Sequence, residues 1–352
     1  MLALAAAAST PSPVPACTAF LLERPGGVVV GKSYDYPIGH GLIMVNPRGL
    51  KKFAMRASGR GPFHGWVSRF GSVTFNQYGR ELPVSGMNEA GLVVEVLWLD
   101  ETRYEPPDER RAVQDLQWMQ LQLDVRESVA DLLAHIAEVR VESLVARVHF
   151  LACDGTGACA AIEFLDGVAV VTTGNVMPVR VLTNDSYAES LEYLRVHRGF
   201  GGDRAPASGA GSLDRFVRAA RAVAGTASGD PGDDQVARAF SVLDDVSQGS
   251  GSVWNLVHEP RERRIHYRTH ATPRIKRIDL ADFDFECASG ARVLDVDAER
   301  WGRVAASFLP YTEAANRRIV VLSFSSDVIS LPRAAISSVA SFPGRFTCAP
   351  GP

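Results

Sequence analysis

The stretch Val14-Pro15-Ala16-Cys17-Thr18-Ala19-Phe20-Leu21-Leu22 decides how this chain reads. A cysteine behind a small residue closes an apolar, Pro/Ser-rich leader and heads a β-type run. Cleavage after Ala16 would place a thiol and a free α-amine on one residue. An α-amine titrates at roughly 7.7–8, so it can take the thiol proton near neutral pH and yield a nucleophile that carries its own base. Two other readings stay open: a structural cysteine, or a lipid-modified one with a blocked amine. Val14-Pro15-Ala16-Cys17 loosely matches a lipoprotein cleavage box, which Pro15 fits poorly.

The leader itself reads as a secretory segment to be removed, residues 1–16. Met1 to Ala8 forms a short apolar run, and Val14 and Ala16 sit at the −3 and −1 positions that favour small residues. An exported, periplasmic or extracellular protein follows. In that setting four cysteines remain beside Cys17. Cys153 and Cys159 flank the turn signal Asp154-Gly155-Thr156-Gly157, so a disulfide across a hairpin is one reading, with Cys287 and Cys348 as the second pair; four buried free thiols is the other. No Cys/His spacing resembles a zinc site.

The chain has 352 residues, 46% hydrophobic and 22% charged, with a formal net charge of −3. That balance gives no electrostatic case for nucleic acid, and no apolar run reaches the roughly 18–20 residues of a membrane-spanning helix. From Thr18 onward, short β-type runs alternate with turns: Thr18–Leu22, Val28–Gly31, Leu42–Val45, Val67–Thr74, Gly91–Leu99, Ala146–Ala152, Ala160–Phe164, Val168–Thr172 and Val179–Leu182. Ala112–Val139 reads as two helices broken near Asp124–Glu127. Leu213–Ala224 and Asp234–Val246 form a second helical zone, separated by the Gly/Ser/Asp/Pro stretch 225–233. Val253–Val257 and Arg264–His270 return as a hairpin, and the Gly/Ala/Ser-rich segment Gly199–Gly211 is a long loop of the kind that walls a site. Helices and hairpins in alternating blocks predict an α+β sandwich. Beyond Asp279 the elements are weak: Val293, Arg300–Phe308 and Arg318–Leu322.

Three further residues carry chemistry. Asp35, in Ser33-Tyr34-Asp35-Tyr36, is surrounded by groups that would bury it, and a buried carboxylate needs a cation such as the new α-ammonium. Asn184 follows a strand, where its amide could donate to a developing oxyanion. Arg215 lies between apolar residues at helical spacing, and a cation near the thiol favours thiolate. The aromatic residues Tyr34, Tyr36, Trp66 and Trp98 would form one aromatic wall if the hairpins fold as read.

The ordered series Ala16-Cys17-Thr18, Ser33-Tyr34-Asp35-Tyr36, Gly86-Met87-Asn88-Glu89-Ala90-Gly91-Leu92, Leu182-Thr183-Asn184 and Asp214-Arg215-Phe216-Val217-Arg218 resembles the choloylglycine hydrolase family. These are linear amide hydrolases of the N-terminal-nucleophile superfamily, conjugated bile acid hydrolases and penicillin V acylases among them. The resemblance spans about Cys17 to Leu280. It implies one four-layer αββα domain over 17–280, with 281–352 as a C-terminal extension, a homo-oligomer, a small-molecule acyl amide as substrate, and no metal or organic cofactor. It implies that Cys17 is nucleophile and base, that Asp35 positions the α-amine, that Asn184 donates to the oxyanion and that Arg215 supports the thiol. Lys32 stands where arginine is usual, so a two-pronged contact is lost. Trp98 stands where bile acid hydrolases carry asparagine. That points to the penicillin V acylase branch, some of whose members also cleave N-acyl homoserine lactones, with the Trp98 backbone N–H as second oxyanion donor.

Overall fold

The computed structural model describes residues 16–24, 27–55, 65–143, 146–205, 207–225, 234–326 and 328–350. Most of the leader, residues 25–26 and the stretch 226–233 lie outside them.

The hairpin headed by Cys17 organises the molecule. Strand Thr18–Arg24 pairs antiparallel with Gly27–Asp35, from Thr18↔Ser33 to Arg24↔Gly27, and every residue of the second strand is buried. Burial on both faces fits the apolar run Val28-Val29-Val30, which does not alternate with polar residues. Gly31 is required there, because a Cβ would lie 2.4 Å from the Phe20 ring of the neighbouring strand. The hairpin sits inside a seven-stranded sheet, between Val181–Leu182 at one edge and Ser252–Glu259, followed by Arg264–Thr269, Lys276–Asp279 and Gly302–Arg303.

A nine-stranded sheet faces it. Its order is Val168–Thr173, Cys159–Leu165, Val148–Cys153, Val93–Trp98, Ser85–Asn88, Ser72–Asn76, Leu42–Asn46, Arg292–Asp295 and Leu309–Pro310. Helices Ser212–Ala224 and Gln235–Asp245 cover the first sheet, and Asp115–Val125 packs on the second. The result is the expected αββα sandwich. Asn88 explains why Asn-Glu-Ala-Gly-Leu recurs as a motif: its Oδ1 accepts from the N–H of Ala90 and Leu92, while its Nδ2 donates to the carbonyls of Leu123 and Arg126. One side chain thus shapes the turn into the Val93–Trp98 strand and ties it to the end of a helix. Gly91, at φ +88°, passes against the Pro260 carbonyl, where only glycine fits.

Several boundaries differ from the sequence reading. Val67–Thr74 is not one strand: Gly65–Val67 belongs to a small sheet with Leu50–Phe53 and Thr347–Cys348, and Ser72–Asn76 belongs to the large one. Between them Arg69 and Phe70 donate to the Asp124 carbonyl at a helix end, and Gly71 donates to the Glu89 carboxylate, so the backbone leaves one sheet before entering the next. The helical reading from Ala112 begins too early, since Arg111–Gln114 pairs in parallel with Val139–Glu142. The break between helices Asp115–Val125 and Val129–Ala134 falls where expected. Helix Tyr187–Arg195 was missed although Ser186 caps its start, its Oγ accepting from the Glu189 N–H and donating to the Glu189 carboxylate.

Residues beyond 280 complete the sheets rather than stand apart. Arg292–Asp295 pairs with Leu42–Asn46, and helix Glu313–Phe324, packed on Arg333–Ser341, presents Asn316 to the Arg80 N–H and the Ala340 carbonyl. Disulfides join Cys153 to Cys159 and Cys287 to Cys348, leaving Cys17 free. The second closes a separation of 61 residues. Removing it with paired serine substitutions is expected to cost about 4 kcal/mol through loop entropy of the unfolded chain, read as a lowered urea midpoint with activity retained. An unchanged midpoint would show that the tail is held by packing alone.

Candidate active site

The site lies where the head of strand Thr18–Arg24 meets the ends of Gly27–Asp35, Val93–Trp98 and Val181–Leu182 and the start of one helix. Cys17 precedes the first strand and is 2% exposed. Helix Ser212–Ala224 lies across that strand, so Arg215, 1% exposed, reaches the backbone: its Nη1 donates to the Cys17 carbonyl at 2.6 Å and to Thr18 Oγ1 at 2.7 Å. Burial pushes the Cys17 thiol above its ordinary value; Lys32 opposes this, Asp35 adds to it, and a backbone hydrogen bond from Asp35 and the Arg215 charge oppose it more weakly. The thiol is therefore protonated at neutral pH and needs a base. Arg215 touches the backbone and contributes the smallest of these effects, so it braces the cysteine more than it ionises it.

Asp35 ends the second strand, alongside the head of the first. Ser33 donates to its Oδ1, while the buried Oδ2 has no hydrogen-bond partner. Desolvation pushes this carboxyl up to about 6, against the pull of Ser252, Ser33, Arg215 and Lys32. The Ala16 N–H donates to the Asp35 carbonyl at 3.1 Å, which sets the leader beside this carboxylate.

Asn184 follows the edge strand Val181–Leu182. Its Oδ1 accepts from Arg215 Nη2 at 2.8 Å, and its Nδ2 donates to the Trp98 carbonyl at 2.9 Å. A guanidinium can only donate and a carbonyl can only accept, so the amide orientation is fixed and one Nδ2 hydrogen stays free. Leu99 donates to the Arg147 carbonyl across the sheet. By the alternation of an antiparallel ladder, Trp98 turns both backbone groups away from that neighbour, and its carbonyl meets Asn184.

Lys32 is fully buried and donates to the carbonyls of Val84 at 2.6 Å and Val96 at 2.5 Å, with Glu95 at 3.4 Å. Glu95 also pairs with His258 at 2.9 Å and accepts from Ser85 at 3.0 Å, a network between the sheets that the sequence reading missed. Its signal was a single carboxylate inside Val93-Val94-Glu95-Val96-Leu97.

Two spaces meet at Trp98 and Tyr36. An outer cleft of about 700 Å3 is bordered by Asp35, Trp98, Asn184, Gly211 and Arg215, and includes Ala210 and Gly211 from the end of the long loop expected to wall a site. A small apolar pocket of about 30 Å3 lies among Cys17, Tyr34, Tyr78, Val96 and Leu116. Tyr34 and Tyr36 stack at 5.6 Å, and the Tyr78 hydroxyl donates to that of Tyr36 at 2.7 Å. Trp66 is not part of this wall. Its indole donates to Asp124 Oδ2 at 2.7 Å in the small sheet, beside the buried Lys52–Asp124 pair, and Tyr78 fills the role expected of it.

A cysteine at the head of a central strand in an αββα sandwich, with a buried carboxylate at the next strand's end, defines the N-terminal-nucleophile hydrolase class. The chain matches the family described as linear amide C–N hydrolases, choloylglycine hydrolase family, over residues 17–289, a match that starts at Cys17. It belongs to that family. Among its relatives, a penicillin V acylase of Pectobacterium atrosepticum is 25% identical over 323 residues, covering 78% of this chain and 84% of that protein. The fold is that of penicillin V acylase from Agrobacterium tumefaciens, at TM-score 0.74 and 24% identity over 84% of this chain and 98% of the other. It is also that of a mutant conjugated bile acid hydrolase from Clostridium perfringens, at TM-score 0.67 and 16% identity over 81% and 98%. Among the described residues no group of side chains could hold a metal ion, and no helix is long and apolar enough to cross a membrane.

Proposed function

We propose that this linear amide hydrolase, once Cys17 is its first residue, cleaves N-acyl amides that carry a flat aromatic or medium-length aliphatic acyl group. The observation that carries the reading is the aromatic lining of Tyr34, Tyr36, Tyr78 and Trp98 beside Cys17, a space of about 30 Å3 that opens onto the outer cleft at Tyr36 and Trp98 and admits an acyl group only as these rings move apart. The sulfur attacks the amide carbonyl while the α-amine takes its proton. Asn184 Nδ2 and the Trp98 N–H hold the oxyanion, and the α-ammonium protonates the departing amine. Water, deprotonated by the same amine, then attacks the thioester and releases the acid and the thiol. Asp35 holds the α-ammonium and Arg215 holds both the Cys17 carbonyl and Asn184. Lys32 lends its charge to the thiol. Two disulfides support an exported protein in an oxidising compartment.

Burial of an acyl group on this wall is worth ~25 cal/mol per Å2 of apolar area, and the wall offers few partners for the hydroxyls of a bile acid. Penicillin V and medium- to long-chain N-acyl homoserine lactones are therefore expected to show higher kcat/KM than glycine- or taurine-conjugated bile acids, with the gap narrowed in Trp98→Asn. A parent that prefers glycocholate, or a variant with an unchanged order, would sink the reading. Asn184→Ala should lower kcat by about 10²–10³ with a smaller change in KM, as befits a donor that works in the transition state. A rise in KM alone would make Asn184 a binding residue instead.

A further inference from the structure

Asn184 stands where the sheet gives it little support. The strand before it has two residues, pairs with the hairpin through Ala19↔Leu182 and Phe20↔Val181 with one more hydrogen bond from the Leu21 N–H to the Arg180 carbonyl, and lies at the sheet edge. At Thr183 the chain leaves the ladder. What holds the next peptide is a side chain from the opposite sheet: His149, fully buried in strand Val148–Cys153, brings its Nε2 to 2.8 Å from the Thr183 carbonyl. A carbonyl only accepts, so Nε2 carries the hydrogen. The other ring nitrogen, Nδ1, lies 3.1 Å from Glu163 Oε1, a contact that is a hydrogen bond when Nδ1 carries a hydrogen as well, and Glu163 in turn accepts from the Tyr187 N–H at the start of helix Tyr187–Arg195. The N–H end of the same Thr183–Asn184 peptide donates to Ser212 Oγ at 2.8 Å.

We propose that His149, its ring oriented by Glu163, is a positioning residue that fixes the Thr183–Asn184 peptide so that the Asn184 amide points at the forming oxyanion; this rests on Asn184 being that donor. The peptide is gripped at its carbonyl by one sheet and at its N–H by the helix that carries Arg215. Arg215 and Trp98 then set the side chain. A histidine suits the task because it spans from one sheet to the other with a donor at its far end and a second polar atom anchored on its own sheet. An apolar residue at 149 would leave the buried Thr183 carbonyl without that partner.

Two isosteres separate the contacts. A glutamine amide reaches about as far as Nε2, whereas an asparagine amide reaches only to Nδ1, so His149→Gln keeps the Thr183 contact and His149→Asn loses it. On the chain that begins at Cys17, His149→Asn is expected to lower kcat on the order of 10–100-fold with KM little changed, the scale of a small misplacement of a reacting group. The rate of Cys17 alkylation by iodoacetamide should stay at the parental value, and His149→Gln should retain most of the parental kcat. In an Asn184→Ala background, His149→Asn should cost little more, since it acts through a side chain already removed. Full additivity, an effect on KM alone, or equal losses in both isosteres would overturn the proposal. If the asparagine variant fails to fold, a glutamine variant as slow as Asn184→Ala also overturns it. A neutral Asn184→Ala would remove the donor reading itself, and this proposal with it.

Discussion

Cys17→Ser is expected to lower turnover by roughly 10³-fold or more while leaving the fold intact, because removing the nucleophile of a covalent mechanism is among the largest single losses an enzyme shows. The physical reason lies in how the site treats the side chain. Burial already pushes the thiol above its ordinary value, and the Lys32 charge opposes that only in part. An α-amine near pH 8 can draw a proton from such a thiol at modest cost, but a hydroxyl in the same buried position is a far weaker acid. Oxygen and sulfur differ little in the space they need here, so unfolding curves should nearly coincide with the parent. The measurement is kcat on a phenoxyacetyl amide together with urea denaturation. Near-parental hydrolysis by the serine variant would remove Cys17 from the mechanism.

An equally large loss is expected when Ala16 is kept in place by a substitution that blocks its removal. The Cys17 nitrogen is then an amide and cannot accept a proton, so the thiol loses its base. Asp35 adds a second signature. In the chain with Ala16 attached its Oδ2 has no partner and its pKa stands at about 6, above the unfolded value. A carboxyl raised on folding binds protons more tightly in the folded state, so its contribution to stability is present at low pH and is lost as pH rises through about 6. The Ala16-bearing chain should thus lose stability between about pH 4 and 6, and Asp35→Asn should flatten that slope. In the chain beginning at Cys17 the α-ammonium favours the carboxylate and the slope should shrink or reverse. Intact mass fixes which N terminus is present. Activity in a chain proven to retain Ala16 would point to a different base.

Much of this was legible because the informative residues sit at the ends of local elements. Cys17, Lys32 and Asp35 belong to one hairpin whose register follows from its turn, and Asn184 directly follows a short strand. Trp66 failed for the opposite reason: which sheet a strand joins is a long-range matter, and three residues at Gly65–Val67 carry no mark of it. The same holds for Arg292–Asp295, a short piece whose partner Leu42–Asn46 lies far away in the chain. Glu95, His149, Glu163 and His258 were a different kind of miss. Glu95, His149 and Glu163 are each a lone charged or ring-nitrogen side chain among apolar strand residues, a pattern that predicts a buried polar contact even when its partner cannot be named, whereas His258 sits in a strand with Ser252, Asn255 and Glu259.

The place of the nucleophile's hairpin in its sheet bears on when activity first exists during synthesis. Ser33 meets Ser252, 219 residues later, through the strand that flanks the hairpin on its second side. Until the ribosome has delivered that strand, Gly27–Asp35 is an open edge and Asp35 at its end lacks its pairing with Ser252. Closure over such a span is slow, since its entropy must be met before the contact rewards it. A nascent chain therefore carries its cysteine near the exit end for most of translation without a working site. Premature amide cleavage is barred by topology before any processing step acts.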